Sequence, residues 1–343
     1  MPLPTIAEQK LDVYDIITGG DDAYDPAETP VFNMLPNGPD SPQAAKFQFV
    51  FDAPDTPTAT GSAEGGEWSQ AALTTFGDPS RLYGRMHHKK YLVGAGEVTD
   101  GDQGYAMGGL STFQYQVKKA LRKLIKDGEL IVIGAQESQA GNTSTTFVTR
   151  GAELYILPTS LIALQTDTDC VIESAFRPAA AQVKEVTTGT GDFTFEESDL
   201  QAMTNAAYSS RQAKISWEGY VTPRLKTKIS NWGNLAPTVS SYTNVRRFNS
   251  SADAMTMRTT FQKWVGDCGE VNVDLHPFLR LDTGTQKAEG LFFEKGYQMK
   301  RMRTAPKVAK LADDAGVKRA YGLMTFGLQM IPKFNGQVRR AAA

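Results

Sequence analysis

The chain has 343 residues, 41% hydrophobic, 22% charged and 10% aromatic, with 36 basic side chains against 38 acidic ones. That composition supports a packed core and excludes wholesale disorder, and the near balance of charge excludes an overall field drawing the protein onto nucleic acid or an anionic membrane. Two widely spaced cysteines, Cys170 and Cys268, exclude a disulfide scaffold; no run approaches the ~18–20 apolar residues of a membrane span, and no basic stretch opens an apolar leader, so a soluble product of a reducing cytoplasm is expected.

The first ~45 residues are proline-rich (Pro2, Pro4, Pro26, Pro30, Pro36, Pro39 and Pro42), which fixes φ, removes donors and forbids long helices. Ile16, Ile17, Val31, Phe32, Met34 and Leu35 are embedded there, and a merely solvated tail does not need them. The pattern predicts an extended arm over residues 1–45 that pins Val31, Phe32, Met34 and Leu35 into grooves. Deleting residues 1–35 is then expected to leave a foldable subunit that assembles poorly.

Residues 46–105 read as strands around a long excursion. Phe47, Phe49 and Phe51 alternate in Lys46–Phe51, the period-2 signature of a half-buried strand. Arg85–Val93 is expected as its returning partner. Between them lies a small, polar segment with Gly61, Gly65 and Gly66 around a lone Trp68 at the loop tip. Isolated hairpins are marginal in water, so this one is expected to lie on a neighbouring subunit.

The strongest helix follows Ser111-Thr112, a suitable N-cap. Phe113, Val117, Leu121, Leu124 and Ile125 recur along one face, and the helix is expected to reach about Ala135, ~35 Å long. Gly128 is its expected weak point. Lys118, Lys119, Arg122, Lys123 and Lys126 mark the other face. Such a face is either simply solvated or a contact for phosphates or acidic segments, Asp21-Asp22 of the arm included.

Further on, Asp199–Ser209 reads as a short amphipathic helix with Leu200, Met203, Ala207 and Tyr208 on one side. Ile215, Trp217 and Gly219 open a strand, and Pro223 starts another short helix. Gly290–Met302 and Arg319–Val338 are strand-like, and no internal repeat is present.

Catalytic chemistry finds little support. His87 and His88 fall on a strand, where neighbours face opposite ways and cannot share one metal. Cys268 has His276 eight residues away, but a buried inert cysteine is the commoner state. Gly94-Ala95-Gly96 lacks the last glycine of a dinucleotide fingerprint, and Walker A, H-E-x-x-H and G-x-S-x-G motifs are missing. No enzyme activity, cofactor or metal is expected.

Four stretches carry a family resemblance. Glu28–Pro36 (ETPVFNMLP) resembles the segment that follows the arm in tailed-phage major capsid proteins, and Ser111–Leu130 resembles their long spine helix. WEGYVTPRLKTKISNWG is similar to their V-x-P-x-x-K helix, and Trp264–Leu279 to their D-F-G hairpin, with Cys268 in place of an aromatic and His276-Pro277 in place of Asn-Arg. Residues 150–195 show no match.

The resemblance implies an α+β, Johnson-type fold shared with herpesvirus-floor and encapsulin shells. It divides the chain into an N-terminal arm (1–45), an extended loop (46–105), a peripheral domain with the spine helix (106–150), an uncertain linker or insertion (151–195), an axial domain (196–290) and a return to the peripheral domain (291–343). It further implies self-assembly into hexamers and pentamers around double-stranded DNA. Portal, scaffolding or decoration proteins and non-specific DNA contact are the implied partners, with no membrane. The product would reside in the virion capsid after synthesis in the host bacterial cytoplasm. An encapsulin-like compartment and a tail or baseplate protein remain the alternatives.

Overall fold

The computed structural model describes residues 28–39, 41–51, 80–94, 112–186, 194–232, 262–279, 287–311 and 319–341. In chain order these form α1 (Pro30–Met34), β1 (Lys46–Phe51), β2 (Ser80–Arg85), β3 (His87–Gly94), α2 (Thr112–Ile133), α3 (Ala152–Tyr155) and β4 (Val183–Val186). There follow α4 (Glu197–Arg211), β5 (Ile215–Val221), α5 (Pro223–Asn231), β6 (Lys263–Gly266), β7 (Gly269–Leu275), β8 (Ala288–Glu294), β9 (Gln298–Lys310), β10 (Arg319–Met330) and β11 (Gly336–Arg340). Ile16, Ile17, Asp21-Asp22, Trp68 and Asp313-Asp314 lie outside the described residues.

The strands make a two-stranded sheet β1-β2, a three-stranded sheet β3-β10-β9, and a six-stranded mixed sheet ordered β4-β11-β8-β5-β7-β6. All seven residues of β8 are buried, as the middle of a sheet covered on both faces requires. On one face of the six-stranded sheet, α4 and α5 set Leu200, Met203, Ala207, Leu225 and Ile229 against Trp217, Val271, Val273 and Phe292. Beyond its other face, Tyr220, Leu291 and Phe293 join the main core, which also takes in Val31 and Phe32 of α1, Leu124 and Ile125 of α2, and Met324 and Phe326 of β10. Helix α2 lies on the three-stranded sheet, where Ala320, Gly322 and Met324 face it and are buried.

Three expectations change. The partner of β1 is β2, in register Lys46 with Arg85 and Phe51 with Ser80, so only Arg85 of the expected 85–93 return pairs there. The chain switches sheets at the buried Met86, and β3 pairs instead with β10 from His87–Phe326 to Gly94–Arg319. Alternation reveals a pleat but not the strand it pairs with. Gly290–Met302 is likewise two strands in two sheets, separated by a turn at Gly296, whose φ of +92° is the left-handed conformation that favours glycine. Arg319–Val338 divides the same way, at the short 3-10 turn Pro332–Phe334. Finally, Tyr208 is 41% exposed and does not join the buried face of α4.

Residues 149–186 are tied closely to the core. All four residues of α3 are buried, Tyr155 Oη donates to the Leu328 carbonyl at 3.1 Å, and Thr149 Oγ1 accepts from the Leu328 amide at 3.2 Å.

Candidate functional site

Glu129 is fully buried in the apolar stripe of α2. Its carboxylate accepts from the backbone N–H of Val31 at 2.9 Å and of Phe32 at 2.5 Å. His276, in the loop after β7 and equally buried, supplies a third donor. The Phe278 N–H donates to His276 Nδ1 at 3.1 Å, which leaves Nε2 as the protonated nitrogen directed at Glu129. One carboxylate therefore gathers the arm, the long helix and the six-stranded sheet.

Lys300 of β9 closes the other side of this junction. Its Nζ donates to the Phe32 carbonyl at 2.7 Å and stands 4.2 Å above the Phe32 ring. Burial pushes its pKa down to about 8, with Glu129 acting in opposition. Main-chain bonds run from Gly38 to the Lys300 carbonyl and from Lys300 to the Pro36 carbonyl. Val31, Phe32 and Leu35 are buried and Met34 packs half-buried against the same cluster, so the four arm anchors seat in this chain's own core. That corrects the expected truncation limit: removing residues 1–35 takes out core side chains along with the arm.

Gly128 is a packing requirement more than a weak point. A Cβ there would stand 3.0 Å from the Phe32 ring, so its absence lets that ring lie against α2.

The basic face of α2 divides into two groups. Arg122 donates through Nε (3.0 Å) and Nη2 to Glu28, and Lys126 Nζ stands 3.0 Å from the same carboxylate. The Arg122 hydrogen bonds, against the cost of burial, hold the Glu28 carboxyl below its ordinary range. The acidic residue that meets these two cations is thus Glu28, whereas Asp21-Asp22 was expected. Lys118 and Lys119 make no ion pair among the described residues, and Lys123 lies 4.7 Å over the Tyr91 ring.

A second polar junction fixes the base of the β1-β2 hairpin. Arg85 donates to Asp167 at 2.6 and 3.1 Å and to Asp169 at 2.8 Å, while Ser138 Oγ donates to Asp167 at 2.7 Å. Burial would raise the Asp167 pKa, but the Arg85 and Ser138 bonds outweigh it and hold the carboxyl below the usual range. Nearby, Arg150 donates to Glu137 and to the Cys170 carbonyl.

The residues considered for chemistry are kept apart. His88 Nδ1 pairs with Thr325 Oγ1 at 2.7 Å while His87 packs on Phe326, on the opposite side of the sheet. Cys268 precedes β7 and His276 follows it, about 23 Å apart along the strand. Among the described residues no group of three or more His, Cys, Asp or Glu is placed to hold a metal ion, and no helix is long and apolar enough to cross a membrane.

Sequence reasoning missed Glu129 and His276. The available signal was positional: Glu129 follows Leu121 and Ile125 at four-residue steps, placing a charge within an apolar stripe.

The family model described as SU10 major capsid protein matches residues 11–335. Among solved structures, the chain is similar to one of Mycobacterium phage Bobi, with 10% identity, a TM-score of 0.52, and coverage of 97% of this chain and 99% of that one. It is similar to the capsid of an empty GTA particle at 12% identity and a TM-score of 0.51, covering 93% and 91% of the two chains. The capsid of Cyanophage P-SCSP1u gives 12% identity, a TM-score of 0.51 and coverage of 95% and 92%. No curated protein matches the sequence.

Proposed function

The chain belongs to the SU10 major capsid protein family, and from that premise we propose how its parts build a phage shell. It is a major capsid shell protein of a tailed phage with an α+β capsid fold, and it associates with itself in the virion. The finer reading is that copies form hexamers and pentamers around double-stranded DNA. In it, α2 and the three-stranded sheet serve as the peripheral domain, the six-stranded sheet with α4 and α5 as the axial domain, and residues 46–105 as the extended loop. The role is mechanical, without a catalytic step. Assembly would take place in the host bacterial cytoplasm, joined by a portal and by scaffolding or decoration proteins.

The observation that carries this reading is the family match over nearly the whole chain. The described fold supports it: a thin helix-on-sheet unit with one open sheet face buries little surface alone and gains stability by overlapping its neighbours. Lys118, Lys119 and Lys123 are the proposed contacts for DNA or acidic partner segments. Arg122 and Lys126 act through Glu28 to fix the arm.

Negative-stain electron microscopy of the purified full chain tests the proposal. Closed shells with five- and six-fold capsomers are expected. Discrete monomers at concentrations where related capsid proteins assemble, or small particles that carry protein cargo and no DNA, would overturn it.

A further inference from the structure

Helix α2 covers one face of the three-stranded sheet, and the opposite face is open. That open face forms one wall of a groove of about 930 Å³, and the 142–147 turn forms the other. His88 and Lys90 of β3 and Arg303 of β9 line it together. Lys90 and Arg303 are exposed and make no hydrogen bond or ion pair among the described residues. Burial, followed by the charges of Lys90 and Arg303, holds the pKa of His88 down, so the three groups feel one another. Beside them, Leu92 is 70% exposed and Tyr321 and Leu323 are half-buried. Crowded cations beside exposed apolar side chains are poorly served by water alone.

A phosphate backbone would answer the charge but not Leu92, Tyr321 and Leu323. An acidic peptide with apolar side chains answers both. The chain contains such a segment: residues 52–79 hold Asp52, Asp55, Glu64, Glu67 and Asp78, no Lys or Arg, and the apolar Trp68, Leu73 and Phe76. The same subunit is poorly placed to supply it. Ala45 lines the groove, and β1 then carries the chain away by about 20 Å, at about 3.3 Å per residue, to Phe51, which packs on Phe176, Tyr297 and Phe334.

We propose that the groove between the open face of the three-stranded sheet and the 142–147 turn receives residues 52–79 of a second copy of this chain. The proposal rests on the shell-forming reading above and names the surface and the charges through which one subunit holds the next.

A labelled synthetic peptide of residues 52–79, titrated into dilute full-length protein, tests it. Affinity is expected to fall with salt, as exposed charges are screened over about 8 Å at physiological ionic strength. The double variant K90E/R303E should bind the peptide at least about tenfold more weakly, while K119E, on the far side of α2, should bind it as wild type does. A peptide whose five acidic residues are replaced by Lys should bind the double variant better than wild type, a rescue that misfolded protein cannot give.

Equal peptide affinity for wild type and K90E/R303E overturns the proposal. So does a DNA duplex that binds wild type and loses the double variant while the peptide is unaffected. Particle formation, scored in parallel, separates the two readings. If wild type builds shells and the double variant keeps its peptide affinity, the groove assignment falls alone. If wild type builds none, the shell reading falls and the titration still decides whether two copies meet at this groove.

Discussion

At the scale of single residues, the arm is held by charge inside a core. Glu129 has no water to solvate it, so its stability depends on the Val31, Phe32 and His276 donors. Truncation to alanine strands all three. Removing one partner of such a buried arrangement costs about 3–5 kcal/mol, so Glu129→Ala should lower the unfolding free energy by that order, read by denaturant titration, with faster amide exchange at Val31 and Phe32. A loss under about 1 kcal/mol, the scale of one neutral hydrogen bond, would show the carboxylate to be incidental. Lys300 makes a pH-dependent counterpart. Unfolded, its pKa returns to about 10.4; folded, burial holds it at about 8. Between those values the unfolded chain binds a proton that the folded one does not, so this group makes stability rise with pH across the window. Stability measured from pH 8 to 10 should therefore climb more steeply in wild type than in Lys300→Met. Identical slopes would refute the assignment.

Individual elements show what a sequence reveals and what it withholds. The alternation of Phe47, Phe49 and Phe51 and the stripe of Val117, Leu121, Leu124 and Ile125 are local facts, and β1 and α2 stand where those residues put them. Partners are not local. Nothing in RMHHKKYLV states that pairing passes from one sheet to another at Met86, because the acceptor strand β10 lies more than 230 residues away. The arm junction is non-local too, since Glu129 and His276 are brought together by the core that surrounds them. Gly128 shows the cost of reading an element by propensity alone. An exposed helix interior gains about 1 kcal/mol when glycine becomes alanine, yet the new methyl would press on Phe32. Gly128→Ala should thus be no more stable than wild type. The same change in a Phe32→Leu background should recover the gain, so the double-mutant cycle should couple the two sites by at least about 0.5 kcal/mol. Additive effects would leave the glycine without a packing role.

The whole molecule separates its charges. Lys10, Arg246, Arg247, Arg258, Arg280 and Lys318 are the basic residues outside the described residues; every other Lys and Arg falls within them, whereas more than half of the Asp and Glu do not. A chain of net charge −2 therefore combines a cationic folded body with acidic segments. Opposite charges placed this way attract between copies as readily as within one, and salt weakens that attraction. The boundary between body and segment at the N-terminal side falls at Glu28, which meets Arg122 and Lys126, and not at residue 35. A chain starting at Glu28 retains Val31, Phe32 and Leu35 in the core and should unfold as cooperatively as the full chain, yet lose the acidic residues before Asp25 and Asp25 itself, and with them efficient assembly. Starting at Pro36 removes three buried apolar side chains and the two N–H donors to Glu129. At roughly 1.5–3 kcal/mol for each large apolar side chain, that loss rivals the 5–15 kcal/mol by which a whole domain is stable, so the shorter chain should lack a cooperative transition. Thermal unfolding of the two truncations by circular dichroism, with electron microscopy of the longer one, distinguishes the cases. Cooperative melting of the chain that starts at Pro36 would place the arm anchors outside the fold and return residue 35 as the boundary.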